Sequence, residues 1–332
     1  MLKHALVAVV IFMTSVCTTQ AAGKAESFRI PSGNGSLQLF LRHVPAKTSN
    51  RQPPVLIVHG ATFPSGNAAA WKIQGTSWMD DLAEHGYDVY ALDFLGYGES
   101  DDYPEMTSDD PNGPVLGDVS SMVSQIDRAV AAIFERQSPS SIHLIAHSAG
   151  TLAAARYTEL HANRIDRLVL FGPPAAPTSR SPGDVRQVRY FDVTADNQLD
   201  AFEPRVRQTG KLDLEMFSAW AAAYLATDVK NATRRPPSVR VPAGMRVALD
   251  QLDQLEHLGK LPYAPTHITT PTLIIQGEWD AVTPPSDSLR LFEQFASPLK
   301  RFIVVGQGGH RLHLEQNRSQ LFQEVRAFLQ GP

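Results

Sequence analysis

Cysteine is nearly missing from this chain: Cys17 is the only one in 332 residues. It falls in a segment read below as removable, so the mature protein is expected to hold no thiol. A disulfide framework, a cysteine-ligated zinc cluster and a thiol nucleophile are thereby excluded. Charge of one sign is lacking too. Thirty Lys and Arg stand against 34 Asp and Glu, a net charge of −4, which leaves no electrostatic footprint for nucleic acid or an anionic membrane. No apolar run is long enough to span a bilayer comfortably, so no integral membrane domain is expected. Internal repeats, low-complexity tracts and a Walker-type phosphate loop are also absent.

What is present begins with "MLKHALVAVVIFMTSVCTTQAAGKAE". A basic start at Lys3, an apolar run from Ala5 to Val16 and small residues ending at Ala21 and Ala22 make the three-part layout of a secretory signal peptide. The expectation is a signal over 1–22, cleaved after Ala21 or Ala22, and a secreted or periplasmic protein. A mature chain of this size without disulfides is held by its core alone, which suits a bacterial envelope.

Beyond the signal, "SLQLFLRHV" alternates like a half-exposed strand. "PPVLIVHG", "YDVYALDF", "SIHLIAH", "RLVLFG", "PTLIIQG" and "KRFIVVG" are continuous apolar runs bounded by turn residues, the pattern of strands buried on both faces. Helical patterns lie between them, near Ser77 to His85, Val119 to Gln137, Thr151 to His161, Ser286 to Phe295 and Glu315 to Leu329. This alternation predicts an α/β protein with a mostly parallel, doubly wound sheet. From Pro173 to about Thr270 no buried-strand run occurs. There "LDLEMFSAWAAAYLA" and "MRVALDQLDQLEHL" predict helices of an inserted cap, because so long a structureless loop is improbable in a compact domain. The expected division is a core of 23–173 and 271–332 with a cap over 174–270. Tyr190, Phe191, Phe202, Phe217, Trp220 and Tyr224 would form the cap's own core or line its inner face.

Ser148 stands where "IHLIA" turns into "GTLAAARY". A serine there can cap a helix. Its neighbours Ala146, Ala149 and Gly150 are small, which a cap does not need. A sharp strand-to-helix turn that exposes one side chain at its tip does need it, and the stretch is one residue from the G-x-S-x-G elbow, with Ala146 for the first glycine. A serine hydroxyl also requires a base and a group to orient that base. Asp280 follows the strand-like "TLIIQG", and His310 follows "RFIVV" in a Gly-rich loop. The order Ser, Asp, His on successive strand ends fits a triad. Glu278 lies nearer its strand, and His313 is expected at the start of the last helix, so both rank behind. His310, His313 and Glu315 could suggest a metal, but the HExxH spacing is absent, and no metal is expected.

Acyl transfer further requires N–H donors for a developing oxyanion. The expected pair is Ala149, directly after the serine, and Ala61 in "HGATFPSG", with Thr62 as the substitute. His59 is read as supporting that loop. Gly96-x-Gly98 lacks the third glycine of a dinucleotide site, and Asp93 is expected to tie down the turn after its strand.

From "PPVLIVHG" to the C-terminus the chain resembles the α/β-hydrolase superfamily, through "HG" with Ala61, "LDFLGYGES", "AHSAG", "GEWDAVTPP" and "GGH". The resemblance implies the α/β-hydrolase fold, a cap inserted after the sixth strand, a serine triad and no cofactor. "HGAT" departs from the HGGG and HGGPG loops of other branches, and Ser148 stands where haloalkane dehalogenases and epoxide hydrolases use Asp. What remains is hydrolysis of an ester or related acyl bond of a small molecule. A peptidase or C–C bond hydrolase on the same triad is the alternative, and a non-catalytic binding protein a third reading. For a peptidase, Glu203 is the candidate to hold an α-amino group. The cluster Lys230, Arg234, Arg235, Arg240 and Arg246 reads as a solvated cap face or as a preference for an acidic substrate.

Overall fold

Most of the continuous apolar runs become strands buried on both faces, but the run at Lys300–Val305 is the sheet's edge strand, half-buried with Val304 exposed, because no described strand pairs on its outer side in the sheet. A computed structural model describes residues 24–48, 52–175 and 187–331; the expected signal segment lies outside them. The strands are β1 (Glu26–Pro31), β2 (Gln38–Val44), β3 (Val55–Val58), β4 (Val89–Asp93), β5 (Ile142–His147), β6 (Ile165–Phe171), β7 (Tyr190–Thr194), β8 (Ser238–Pro242), β9 (Thr272–Gly277) and β10 (Lys300–Val305). Eight form one sheet in the order β1-β2-β4-β3-β5-β6-β9-β10. Only the pairings of β1 with β2 and of β2 with β4 are antiparallel; the rest are parallel. This is the α/β-hydrolase fold.

The helices are α1 (Trp78–Glu84), α2 (Val119–Gln137), α3 (Gly150–Leu160), α4 (Ala195–Asp200), α5 (Pro204–Gln208), α6 (Leu214–Ala226), α7 (Gly244–His257), α8 (Pro285–Gln294) and α9 (Arg318–Leu329). Successive strand residues point to opposite faces, which divides the core in two. Leu56, Val58, Leu144 and Ile274 meet α2, α3 and α8 on one face. Val55, Ile57, Ile145 and Ile275 meet α1 and α9 on the other. Local chemistry sets the helix starts: Ser77 and Asp80 form a capping box at α1, and Asp118 accepts the N–H of Ser121 at α2.

Two further sequence expectations need correction. The stretch between β6 and β9 contains strands as well as helices, since β7 and β8 pair as an antiparallel ribbon. Its strands are short, carry Asp192 and Arg240 as a salt-bridged pair at 2.9 Å, and lie more than forty residues apart, so neither a buried run nor a hairpin signal marks them. The last helix begins at Arg318, while Leu312–Leu314 form a separate 3₁₀ turn that carries His313. There Glu315 bends back to accept the N–H of Gly309 instead of opening a helix. The edge strand β1, whose residues are mostly exposed, had no buried run to reveal it.

Candidate active site

The parallel strands all deliver their carboxyl ends to one side of the sheet, and there the chain assembles Ser148, Asp280 and His310. Ser148 follows β5 with φ of +52°, a left-handed conformation that costs energy in a non-glycine residue and marks a constrained turn. Its N–H donates to the carbonyl of Phe171 at the end of β6 (2.9 Å). Its carbonyl accepts from both the N–H and the hydroxyl of Thr151. Pinned in this way, its Oγ lies 2.8 Å from Nε2 of His310.

Nδ1 of His310 lies 2.8 Å from Oδ2 of Asp280. A carboxylate accepts, so Nδ1 carries the proton and Nε2 is left to accept the Ser148 hydroxyl. Asp280 is itself held by the N–H groups of Val282 and Thr283 on Oδ1 and by the Thr283 hydroxyl on Oδ2. All three residues are buried. Glu278 points elsewhere and accepts the N–H of Gln307 (2.9 Å).

The backbone of His310 is gripped from both sides. Its N–H donates to the Glu203 carboxylate, and its carbonyl accepts from Nε2 of His147 at 2.9 Å. Burial, with the neighbouring imidazoles of His313 and His310, pushes His147 well below its ordinary pKa, so it stays a neutral donor. His313 is likewise driven down to about 3 by burial and the nearby Arg311. Its ring packs against Phe63 and Trp78. Among the described residues no group of three or more His, Cys, Asp or Glu is arranged to hold a metal.

Ala149 is buried at the start of α3, where backbone N–H groups precede the helix's own hydrogen-bond ladder. Ala61 lies in the loop after β3, and its carbonyl accepts from the Tyr97 hydroxyl at 2.7 Å. Thr62 exchanges hydrogen bonds with the Gln198 side chain. His59 braces the same loop: Nδ1 donates to the Gly60 carbonyl, and Nε2 accepts the N–H of Phe94. Asp93 ties that loop to the turn after β4, accepting from the N–H and hydroxyl of Ser65 and from the N–H of Glu99.

In the segment between β6 and β9, Trp220 stacks with Phe217 and Tyr224 and meets Phe63 edge-on. The expected basic face is largely neutralised from within. Arg234 pairs with Asp228, Arg240 with Asp192 and Arg246 with Asp250. Residues that the sequence did not single out as part of the site are His147, Tyr97, Gln198 and Arg311. His147 ends the apolar run before the elbow, and Arg311 adjoins His310; such adjacency was the only signal available.

The sheet order and the strand-end placement of Ser148, Asp280 and His310 are those of an α/β-hydrolase. The family model described as Hydrolase_4, serine aminopeptidase, S33, matches residues 44–317, and the chain belongs to that family. A curated relative, "Probable lysophospholipase BODYGUARD 4" of Arabidopsis thaliana, is 26% identical over 155 residues, 44% of this chain; the match spans 31% of that relative's length. Among solved structures, a thermophilic esterase from Thermogutta terrifontis superposes with a TM-score of 0.61 at 18% identity, covering 92% of this chain and 98% of the other. The 2-hydroxy-6-oxo-6-phenylhexa-2,4-dienoate hydrolase of Rhodococcus sp. strain RHA1 does so with 0.60 at 18%, covering 93% and 99%. At these identities the structural likeness concerns the fold.

Proposed function

We propose that this protein is a secreted or periplasmic serine hydrolase that cleaves a carboxylic ester, or a related acyl bond, of a small-molecule substrate. The observation that carries the reading is the continuous chain Ser148 Oγ, His310 Nε2, His310 Nδ1, Asp280 Oδ2, with both links at 2.8 Å. His310 takes the proton of Ser148 as its Oγ attacks the acyl carbon, and the imidazolium formed is stabilised and oriented by Asp280. The N–H groups of Ala149 and Ala61 hold the oxyanion. Collapse of the tetrahedral intermediate expels the alcohol, which takes the proton from His310. Water, deprotonated by the same imidazole, then releases the acid and restores Ser148.

The ester reading draws on the lysophospholipase and esterase names of the relative and the solved structure. The family's description as serine aminopeptidase supports amide hydrolysis as the second reading. An aminopeptidase needs a carboxylate free to face an α-amino group. Glu203, the candidate for that role, instead accepts backbone N–H groups of His310 and Ala281, which favours the ester. Export rests on the three-part layout of the N-terminus.

The test is labelling with a serine-directed fluorophosphonate, with mass spectrometry to locate the adduct, beside rates on an aryl ester and an aminoacyl amide. Labelling is expected at Ser148 and lost in His310→Ala. Ser148→Ala should lower ester kcat by about 10⁶-fold, by analogy with the loss of a triad member in other hydrolases. Unchanged ester hydrolysis in Ser148→Ala would overturn the mechanism, and a faster amide rate would move the second reading ahead.

A further inference from the structure

One short segment, 195–208, touches three loops of the site. It comprises α4, α5 and their connection, and none of it belongs to the main sheet. From α4, the fully buried Gln198 donates through Nε2 to the Thr62 carbonyl at 3.1 Å, and its own carbonyl accepts from the Arg311 guanidinium. Arg311 is buried between the rings of Phe63 and Phe202. Just before α5, the carboxylate of Glu203 accepts the N–H of His310 at 3.1 and 3.2 Å and the N–H of Ala281 at 3.3 Å. His310 and Ala281 lie on separate loops, after β10 and β9. A Cβ on Gly309 would sit 2.0 Å from Oε2 of Glu203, so the histidine loop has room for this carboxylate only because residue 309 is glycine.

Burying a carboxylate is costly unless its oxygens are bonded. Here the bonds go to the histidine of the site and to the residue after its acid. The carboxylate thus closes a ring: Glu203 to the His310 backbone, the His310 ring to Asp280, and the Ala281 backbone to Glu203 again. With His147 holding the His310 carbonyl, the histidine's backbone is fixed on both sides.

We propose that Glu203 is a positioning residue: its carboxylate sets the relative placement of the Asp280 and His310 loops, and so the approach of His310 to Ser148. The proposal rests on the Ser148, His310, Asp280 reading above. It assigns Glu203 a role in the rate of the chemical step rather than in substrate binding. Without the carboxylate the His310 loop loses its link to the Asp280 loop, and a displacement of about 1 Å at a reacting group can cost about 10²-fold in rate.

The experiment compares wild type, Glu203→Ala, Glu203→Gln and Ser148→Ala. It measures thermal unfolding, kcat and KM on p-nitrophenyl butyrate, and the rate of Ser148 labelling by a fluorophosphonate. For Glu203→Ala the expected result is a fall of about 10²-fold in both kcat and labelling rate with KM nearly unchanged. Glu203→Gln, whose amide oxygen still accepts one N–H, should recover part of both. A folded Glu203→Ala with wild-type kcat and labelling rate, or with a change in KM alone, would overturn the proposal. Where the alanine variant does not fold, the glutamine variant decides: a rate loss at unchanged KM supports the role, and wild-type rates remove it. Wild-type protein that resists labelling would sink the hydrolase reading itself. Labelled wild type with equally fast Glu203 variants would sink only the positioning role.

Discussion

The carbonyl oxygen of His59 lies 2.2 Å from the point where a Cβ on Gly150 would sit. The end of β3 and the first turn of α3 therefore meet backbone to backbone, and this contact brings the loop carrying Ala61 beside Ser148. A methyl group at residue 150 would force the two apart. Gly150→Ala is expected to lower stability by about 1–3 kcal/mol, the usual cost of overpacking. Thermal unfolding checks this, and a variant as stable as wild type would show that the segments separate freely.

Within the proposed oxyanion loop, the Ala61 carbonyl is held by one hydroxyl. Tyr97 donates to the Ala61 carbonyl at 2.7 Å from a buried position. Tyr97→Phe removes that hydrogen bond and leaves the carbonyl without it, a loss of about 1 kcal/mol. If Ala61 serves the oxyanion, ester kcat should fall by about 3- to 10-fold with little change in KM. Steady-state kinetics would decide it; an unchanged kcat would remove Ala61 from the oxyanion site.

Stability should also depend on pH through Glu315. Burial pushes its carboxyl up to about 8 from 4.5; the Gly309 N–H and Arg311 oppose the rise, and the like charges of Glu203 and Asp280 add to it. The native value lies above the unfolded one, so the folded state binds this proton more tightly. The stabilisation from this group is whole below about pH 4.5 and is lost as pH rises through about 8. Glu315→Gln keeps an acceptor for Gly309 and cannot ionise. Urea unfolding from pH 5 to pH 9 should show wild type losing stability relative to this variant across that window. A constant difference between the two would mean that Glu315 is already ionised when buried.

Export makes a prediction about mass. If the N-terminal layout is a signal peptide, protein recovered from the periplasm or medium of a bacterial host should begin at Ala22 or Gly23. Intact-mass measurement reads this directly. A recovered chain that still begins at Met1 would refute cleavage.

The order of apolar runs determined most of the main sheet. Residues such as Leu56 and Ile57 are buried on opposite faces, and a strand buried on both sides cannot hide that need in its sequence. Ser148, Asp280 and His310 were legible for a related reason. Ser148 directly follows such a strand, and Asp280 and His310 lie three and five residues past the ends of β9 and β10, among small or turn-forming residues whose local steric role shows in the chain itself. The ribbon of β7 and β8 was not legible, because its pairing joins distant short segments with charged side chains.

Tertiary structure alone decided the surroundings of the site. Glu203 reaches His310 across 107 positions, Arg311 reaches Gln198 across 113, and His147 reaches His310 across 163. A hydrogen bond between groups so far apart leaves no period, spacing or composition behind it. Glu203 suited a substrate-facing carboxylate equally well when read as sequence. It was the folding of 195–208 against three loops that turned its oxygens to the backbone of His310 and Ala281.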